Sequence, residues 1–258
     1  ISIMINNYNR ARYLERTIRS IVEQNVGREV YEIVLVDNIS SDHSLDVMNF
    51  MKEFYWDKAN IRIFKRIGHK KEEPGNITKV RNFGIKQCRG EVIMFCDPEL
   101  LHGPGTIKKM IEHHFQGKDN LYVVGKVYDA EREIQNLIDK TRTFEEALKI
   151  AVKNPVIRCG SERKVCYPFL SSVRKKWLVK VRGYDEEMIG GGHDDNDLWN
   201  RMHVANVDSL FDDSIIGIHQ WHKPHWVNTD YNEKIMSSKK EILIRNNDRW
   251  GEIRAVKL

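Results

Sequence analysis

The sequence predicts an α/β fold in which helices flank a mostly parallel central sheet. Over the first hundred residues, short apolar runs rich in β-branched side chains alternate with segments whose apolar residues recur at helical spacing. This alternation is typical of βαβ units, in which a helix joins two parallel strands by a right-handed crossover. The apolar runs are continuous, which indicates strands covered by helices on both faces.

The elements of the first half follow in order from these patterns. Strands are predicted at 1–5, 32–36, 61–64 and 92–96. The first helix is predicted from Leu14, Ile18 and Ile21, which recur on one face, and the second begins near Ser41 or Asp42 as N-cap. Further helices are predicted at 76–87 and from about 104 to 115.

After residue 120 the alternation loosens. Strands are predicted at 121–124 and 214–218, polar helix with turns at 130–153, and two helices around a glycine run between 177 and 213. An amphipathic helix is predicted at 228–248. The simplest partition is one domain over 1–225, followed by a helical C-terminal extension over 226–258.

Composition and charge restrict the functional class. Of 258 residues, 41% are hydrophobic and 31% charged, which excludes bulk disorder. No apolar run approaches the roughly 18 residues of a membrane span. The net charge of +5 does not indicate nucleic acid and favours a small anionic ligand. None of the four cysteines forms a CxxC pair, and Cys88 and Cys96 lie in apolar surroundings typical of core thiols, so a reducing compartment is expected. The chain opens inside a predicted strand without a signal peptide, which suggests a piece of a longer chain.

Polar residues follow three of the predicted parallel strands. They are the turn at 6–9, Asp37, and Asp97 with Glu99. Ligands of open α/β sheets bind beyond the carboxyl ends of the strands, so these residues are expected to converge on one crevice. The alternatives are a turn or cap role for Asp37 and a plain surface turn for Asp97-Pro98-Glu99.

The sequence contains neither a GxGxxG fingerprint nor a GxxxxGK[ST] loop. A phosphate-bearing ligand would then need a metal ion or basic side chains. Asp97 and Glu99 at a strand end suit Mg²⁺ or Mn²⁺, which can hold a diphosphate.

A second acidic cluster follows the glycine run at 190–192. Asp194, Asp195 and Asp197 fall in the first turn of a predicted helix, where carboxylates also stabilise the helix dipole. Three carboxylates in four residues exceed what capping needs, and their repulsion raises the proton affinity of at least one. Such a group can take a proton from an attacking hydroxyl.

Histidines occur at three-residue intervals at His219, His222 and His225. The spacing permits a zinc cage. Pro224 and the absence of a nearby cysteine favour a loop instead.

Four segments, in matching order, resemble the family 2 glycosyltransferases. Residues 1–10 read ISIMINNYNR, similar to VSIIIPTYNR, and residues 32–42 read EIVLVDNISSD, similar to EIIVVDDGSTD. Residues 80–85 (VRNFGI) and 89–99 (RGEVIMFCDPE) resemble ARNxGxxxARGEyixFLDxD. Residues 183–201 resemble GFDExxxGWGxEDxDLxxR. Their GGxxDxDL part is also like that of galactosyltransferase and chondroitin-polymerase-type enzymes.

The resemblance implies a GT-A fold, a nucleotide-diphosphate sugar donor and inversion at the anomeric carbon. Residues 1–100 would form the nucleotide-binding half and 101–225 the acceptor-binding half. The nucleotide-binding residues implied are Asn6, Tyr8, Asn9, Asp37 (to the base, most often uracil), Arg81 and Asp97. This sequence departs from the family at Glu99, Asn6 and Asn38, where Asp, Pro and Asp are usual.

The same resemblance assigns the chemistry. Asp195 would be the catalytic base, with Asp194 orienting the acceptor. Asp97 and Glu99 would hold Mn²⁺ or Mg²⁺ together with His219, for which His222 is the second choice.

We therefore expect a metal-dependent, inverting glycosyltransferase that moves a sugar, most often from a UDP-sugar, to a hydroxyl of a glycan or another acceptor. It is expected in the cytoplasm or on the cytoplasmic membrane face. Four aromatic residues either stack on acceptor sugars or belong to the core, namely Trp177, Tyr184, Trp199 and Trp221. The rival interpretations are a nucleotidyltransferase and a non-catalytic module that binds a nucleotide sugar or glycan.

Overall fold

The computed structural model describes residues 1–68, 76–165, 167, 169–223 and 228–258. In these ranges a central sheet is flanked by helices. The strands are β1 (Ser2–Asn7), β2 (Glu32–Asp37), β3 (Asn60–Arg66), β4 (Val92–Cys96), β5 (Leu100–His102), β6 (Leu121–Asp129), β7 (Val156–Cys159), β8 (Leu170–Arg174), β9 (Asp208–His219) and β10 (Ala255–Lys257). The helices are α1 (Ala11–Val22), α2 (Ser44–Phe54), α3 (Ile77–Gln87), α4 (Thr106–Gln116), α5 (Arg132–Ile138), α6 (Phe144–Ala151), α7 (Lys175–Lys180), α8 (Asp194–Val204) and α9 (Thr229–Ser238).

The sheet has the strand order β10-β3-β2-β1-β4-β8-β6-β9-β5, and β7 pairs with β6 outside this path. Strands β3, β2, β1 and β4 are parallel, because a helix crosses over between each consecutive pair. Strand β8 runs antiparallel to both β4 and β6, whereas β6 and β9 are parallel. The α/β class is confirmed, and the all-parallel part is confined to the first half of the chain.

The burial of the core residues explains why the strands and helices of the first half could be predicted from the sequence. All six residues of β2 are buried, as expected for a strand covered on both faces. On α1, Leu14, Ile18 and Ile21 are fully buried along one face. The parallel register places Asn7 opposite Asp37 and Ile5 opposite Cys96, so the polar turns that follow β1, β2 and β4 meet at one edge.

Strands β5, β7, β8 and β10 were not predicted. Strand β8 shows why, since its sequence LSSVR carries two buried serines instead of apolar residues. Ser171 shares a hydrogen bond with Tyr122 (3.0 Å) and Ser172 with His114 (2.8 Å). Tertiary hydrogen bonds therefore satisfy a strand whose own pattern is weakly apolar.

The predicted helix over 228–248 is wrong beyond Ser238, where α9 ends. The following segment is held by side-chain bonds instead: the Asn246 amide donates to the Arg182 carbonyl (2.7 Å) and its Oδ1 accepts from the Glu186 amide (3.0 Å). Strand β10 then pairs antiparallel with β3, and Trp250 is buried in the main core. The proposed boundary between 225 and 226 lies outside the described residues.

Candidate functional site

A cavity of about 220 Å³ opens at the carboxyl ends of β1 and β4. Seven of the residues predicted from the sequence line it, namely Asn6, Tyr8, Arg81, Asp97, Glu99, His219 and His222. The buried Oδ1 of Asn6 has no hydrogen-bond partner in the described part of the chain. The cavity wall thus offers this acceptor to a ligand.

Asp97 follows β4 in a turn that the Thr17 hydroxyl fixes by donating to the Pro98 carbonyl at 2.7 Å. The Asp97 carboxylate makes no hydrogen bond or ion pair with any residue that the structure describes, although the charges of Arg81, His219 and Arg158 act on it. Burial, with the nearby charge of Glu99, raises the pKa of Asp97 to about 6. An unpaired carboxylate in a cleft is suited to a cation.

Glu99 is engaged within the protein. Its Oε1 pairs with Arg10 Nε and lies 3.2 Å from His222 Nε2. The Glu99 side chain is 5% exposed, so this ion pair is largely shielded from water. Glu99 would have to exchange these partners to ligate a metal ion.

His219 ends β9 with its side chain 7% exposed. Its Nδ1 lies 2.8 Å from Asp129 Oδ1. Burial alone would raise the pKa of Asp129, but the hydrogen bonds and charges of His219 and Arg158 outweigh burial and lower it. The ionised carboxylate can only accept, so His219 Nδ1 carries a proton and donates it to Asp129, which leaves Nε2 as the other ring nitrogen.

No group of three His, Cys, Asp or Glu side chains stands ready to hold a metal ion among the described residues. The predicted set of Asp97, Glu99 and His219 is nevertheless brought to one cavity. Two of its members, the Asp97 carboxylate and the His219 Nε2, make no hydrogen bond within the described ranges. The carboxylate oxygens of Asp97 and Glu99 are of the kind that Mn²⁺ and Mg²⁺ bind.

The two carboxylates at the start of α8 face Arg81 of α3. Its Nη1 pairs with Asp194 Oδ2 and with Asp195 Oδ1, the latter at 2.8 Å. The guanidinium lies 5.1 Å from the ring of Tyr184. The loop before α8 contains Gly192, whose φ of 105° is a conformation that residues with a Cβ rarely adopt.

The pKa of Asp195 is raised further than that of Asp97. Burial raises its pKa to about 8, with Asp194 and Asp97 adding to the effect and Arg81 opposing it. Arg81 lines the cavity beside Asp97 and also binds Asp195, so this arginine connects the two carboxylates. Asp195 does not itself line the cavity, but a carboxylate with a raised pKa that is paired to a residue of the cavity wall is a candidate general base.

Asp197 has a different environment. It is fully buried and lies 2.8 Å from Arg201 Nη2 and 2.7 Å from Arg245 Nη1. Arg201 also donates to the Val181 and Gly183 carbonyls. The acidic cluster therefore divides, with Asp194 and Asp195 paired to Arg81 beside the cavity and Asp197 in a buried ion-pair network.

Asp37 and Asn9 shape the loop that borders the cavity. Asp37 is fully buried and accepts from Asn7 Nδ2 (3.3 Å) and from the Ser40 amide (3.1 Å). Asn9 has a φ of 54°, and its Oδ1 accepts from the Ser41 amide at 2.7 Å. Neither residue lines the cavity, whereas the neighbouring Asn38 does.

The four aromatic residues considered for sugar stacking are buried or partly buried. Tyr184 is fully buried, and Trp177 and Trp199 pack against the main core. Trp221 is half-buried, with Arg132 5.5 Å from its ring. His225 lies outside the described residues, while the rings of His219 and His222 are 5.2 Å apart.

Sequence reasoning missed three charged residues of this cavity and its wall, namely Arg10, Asp129 and Arg158. Arg10 carries a local signal, because it directly follows the polar turn after β1. Asp129 and Arg158 are brought to the site only by strand pairing. Nothing in the spacing of the sequence connects them to Asp97.

Comparison with known proteins agrees with this architecture. The profile of the family described as "Glycosyl transferase family 2" matches residues 2–182. The minor teichoic acid biosynthesis protein GgaB of Bacillus subtilis (strain 168) is 24% identical over 71% of this chain. The chain spans 22% of the length of that relative.

Two solved structures share the fold. Residues 1–349 of Staphylococcus aureus TarS, solved with UDP-GlcNAc, align over 96% of this chain and 67% of that one, with a TM-score of 0.66 and 18% identity. The mannosyltransferase PcManGT of Pyrobaculum calidifontis, solved with GDP-Man and Mn²⁺, aligns over 92% and 60%, with a TM-score of 0.61 and 16% identity. The family profile covers more than half of the chain, so this protein belongs to glycosyl transferase family 2.

Proposed function

We propose that this protein is a metal-dependent, inverting glycosyltransferase that uses a nucleoside-diphosphate sugar, with UDP-sugars the first choice, and a hydroxyl acceptor. The observation that carries the proposal is the position of Arg81. It lines the cavity with Asp97 and pairs with Asp195, so one arginine connects a candidate metal ligand in the cleft to a candidate base beside the cleft. The related structures solved with UDP-GlcNAc and with GDP-Man and Mn²⁺ support this choice of donor and ion.

In this proposal Asp97 and His219 hold the cation, and Glu99 joins them if it leaves Arg10. A bound divalent cation would offset the negative charge that develops on the leaving diphosphate. The unpartnered Asn6 Oδ1 is available to a donor group of the nucleotide or its sugar. The Asp37 side chain does not line the cavity. In this proposal it holds the loop that follows β2, which lies near the base of the nucleotide rather than near the diphosphate.

Asp195 supplies the proton transfer. Its carboxylate accepts the proton of the acceptor hydroxyl as that oxygen attacks the anomeric carbon, while the bond from this carbon to the diphosphate oxygen breaks. A single in-line displacement inverts the configuration. Asp194 shares Arg81 with Asp195 and would fix the orientation of the base. Release of UDP from a panel of UDP-sugars, with and without candidate acceptors, tests the reaction and separates it from binding alone.

Donor binding should stabilise the folded protein. UDP with Mn²⁺ at about 100 times its Kd adds about 2.7 kcal/mol to the free energy of unfolding. For a chain of this size this corresponds to a rise in Tm of about 5–10 °C, measurable by differential scanning fluorimetry. EDTA should remove most of the rise. An equal rise in EDTA would contradict a diphosphate held through a metal ion.

Glu99→Gln should reveal whether Glu99 reaches the metal ion. Because the substitution removes a charged oxygen ligand but keeps the shape, we expect at least about a tenfold loss of UDP affinity in Mn²⁺. Affinity in EDTA should change little, and calorimetry measures both. Glu162→Gln is the control, since it removes one partner of a surface ion pair with Lys126. Equal losses with and without metal would show that Glu99 only positions Arg10.

A further inference from the structure

Three residues from neighbouring strands form a continuous chain of hydrogen bonds at the cavity. Asp129 Oδ2 lies 2.6 Å from Arg158 Nη1, and Asp129 Oδ1 lies 2.8 Å from His219 Nδ1. Arg158 and His219 both line the cavity that contains Asp97. We propose that Asp129 is a positioning residue, whose two carboxylate oxygens aim the Arg158 guanidinium and the His219 imidazole at the donor diphosphate. This inference rests on the proposed function.

The backbone explains how Arg158 reaches this position. Strand β6 pairs with β7 in a register that shifts after Val127, which is opposite Cys159, whereas Tyr128 is opposite Ile157. Arg158 therefore has no opposite residue and forms a β-bulge. Bulges redirect a side chain and occur often beside active sites. On the other edge of β6, Asp129 lies directly opposite His219 in the parallel pairing with β9.

The guanidinium of Arg158 is fixed by its neighbours but keeps one hydrogen-bond donor without an acceptor in the described part of the chain. Its centre lies 5.1 Å from the ring of Phe169 and 5.9 Å from that of Tyr167. Its Nε is buried and has no hydrogen-bond acceptor among the residues described. A buried donor without an acceptor is unfavourable, and arginine pairs best with planar or multidentate anions such as phosphate. The cavity wall thus presents a fixed cation with an unused donor.

His219 is oriented by the same carboxylate. Its ring also packs 5.3 Å from the ring of Phe169, which restricts its rotation. In the neutral ring, the form that ligates metals, Nδ1–H donates to Asp129 and the lone pair of Nε2 is left for a cation. Carboxylates behind ligating histidines fix the ring in this way in many metal sites. Asp129 therefore acts through two other residues. Arg158 would contact the phosphates directly, and His219 would bind the cation that holds them.

Calorimetry with UDP and with uridine, each in Mn²⁺ and in EDTA, tests the inference. Arg158→Gln should lower UDP affinity about tenfold under both conditions, because a charge-assisted hydrogen bond to phosphate is lost. Uridine affinity should stay unchanged, because uridine has no phosphate. In EDTA, Asp129→Asn should lower UDP affinity by the same factor as Arg158→Gln. In Mn²⁺, Asp129→Asn should lower UDP affinity further, because His219 also contributes there. In EDTA the double variant should be no weaker than either single variant.

Asp212→Asn is the matched control, because it breaks an Asp–His pair of 2.7 Å with His113 that does not border the cavity. Unchanged UDP affinity in folded variants, an equal loss for uridine, or additive losses in EDTA would each overturn the positioning role. If Asp129→Asn fails to fold, Arg158→Gln decides through its UDP and uridine affinities. A wild-type protein that does not bind UDP would instead overturn the donor assignment, and this inference with it.

Discussion

Asp195→Asn is expected to lower turnover by about 10²–10⁴-fold while UDP affinity stays close to that of the wild type. The amide keeps the size of the side chain and can still occupy the first turn of α8, but it cannot accept a proton. Because the base contacts the acceptor rather than the diphosphate, donor binding is retained. Turnover on one acceptor and UDP affinity by calorimetry, measured on the same preparation, give both quantities.

The pH dependence adds a second signature of the base. The pKa of Asp195 is raised to about 8, and only the ionised carboxylate can take the proton of the acceptor. Turnover of the wild type should therefore rise with pH up to about 8 and then level off. The residual activity of Asp195→Asn should lack this rise, because the titrating group is gone.

Asp194→Asn is the comparison variant, since it removes the other carboxylate on Arg81 and leaves Asp195 in place. We expect a smaller loss of turnover from it, with the pH-dependent rise retained. An Asp195→Asn enzyme that is fully active would move the base to Asp194 or end the inverting mechanism. If both variants bind UDP but neither they nor the wild type transfer sugar, the protein is a binding module.

The parallel half of the fold could be predicted because its signals are local. Strands such as β2 are continuous apolar runs, and helices such as α1 show apolar residues at helical spacing. Once those strands are parallel, the positions of Asn6, Asp97 and Glu99 at one edge follow from topology alone. The family resemblance added Arg81 and Asp195, which the structure brings into direct contact.

The rest of the site depends on contacts between residues far apart in sequence. Asp129 and Arg158 meet through a bulge that no local pattern announces, and β8 is a strand with serines at its centre. Glu99 fits the acidic motif in sequence, but its pairing with Arg10 depends on where two separate turns meet. The three carboxylates of α8 looked alike in sequence, and only tertiary packing separates Asp195 from Asp197.

Asp197→Asn is expected to lower the free energy of unfolding by about 3–5 kcal/mol, as is typical when one partner of a buried ion pair is removed. Asp197 is fully buried, and the side chains of Arg201 and Arg245 are 3% and 2% exposed. Burial already raises the pKa of Asp197 and lowers that of Arg201. Without the carboxylate, two guanidinium groups would remain buried with less compensating charge.

The network reaches further, because Asp185 lies 3.6 Å from Arg245 and 2.9 Å from Lys239. It joins α8 to the segment after α9, so Asp197→Asn should loosen the support of the helix that carries Asp195. Urea unfolding measures the loss, and Asp208→Asn, at an exposed ion pair with Lys118, is the control expected to stay close to wild type. At a temperature where the variant remains folded, its UDP affinity should be nearly normal. A variant as stable as wild type but with the turnover loss expected of Asp195→Asn would show that Asp197, not Asp195, serves the chemistry.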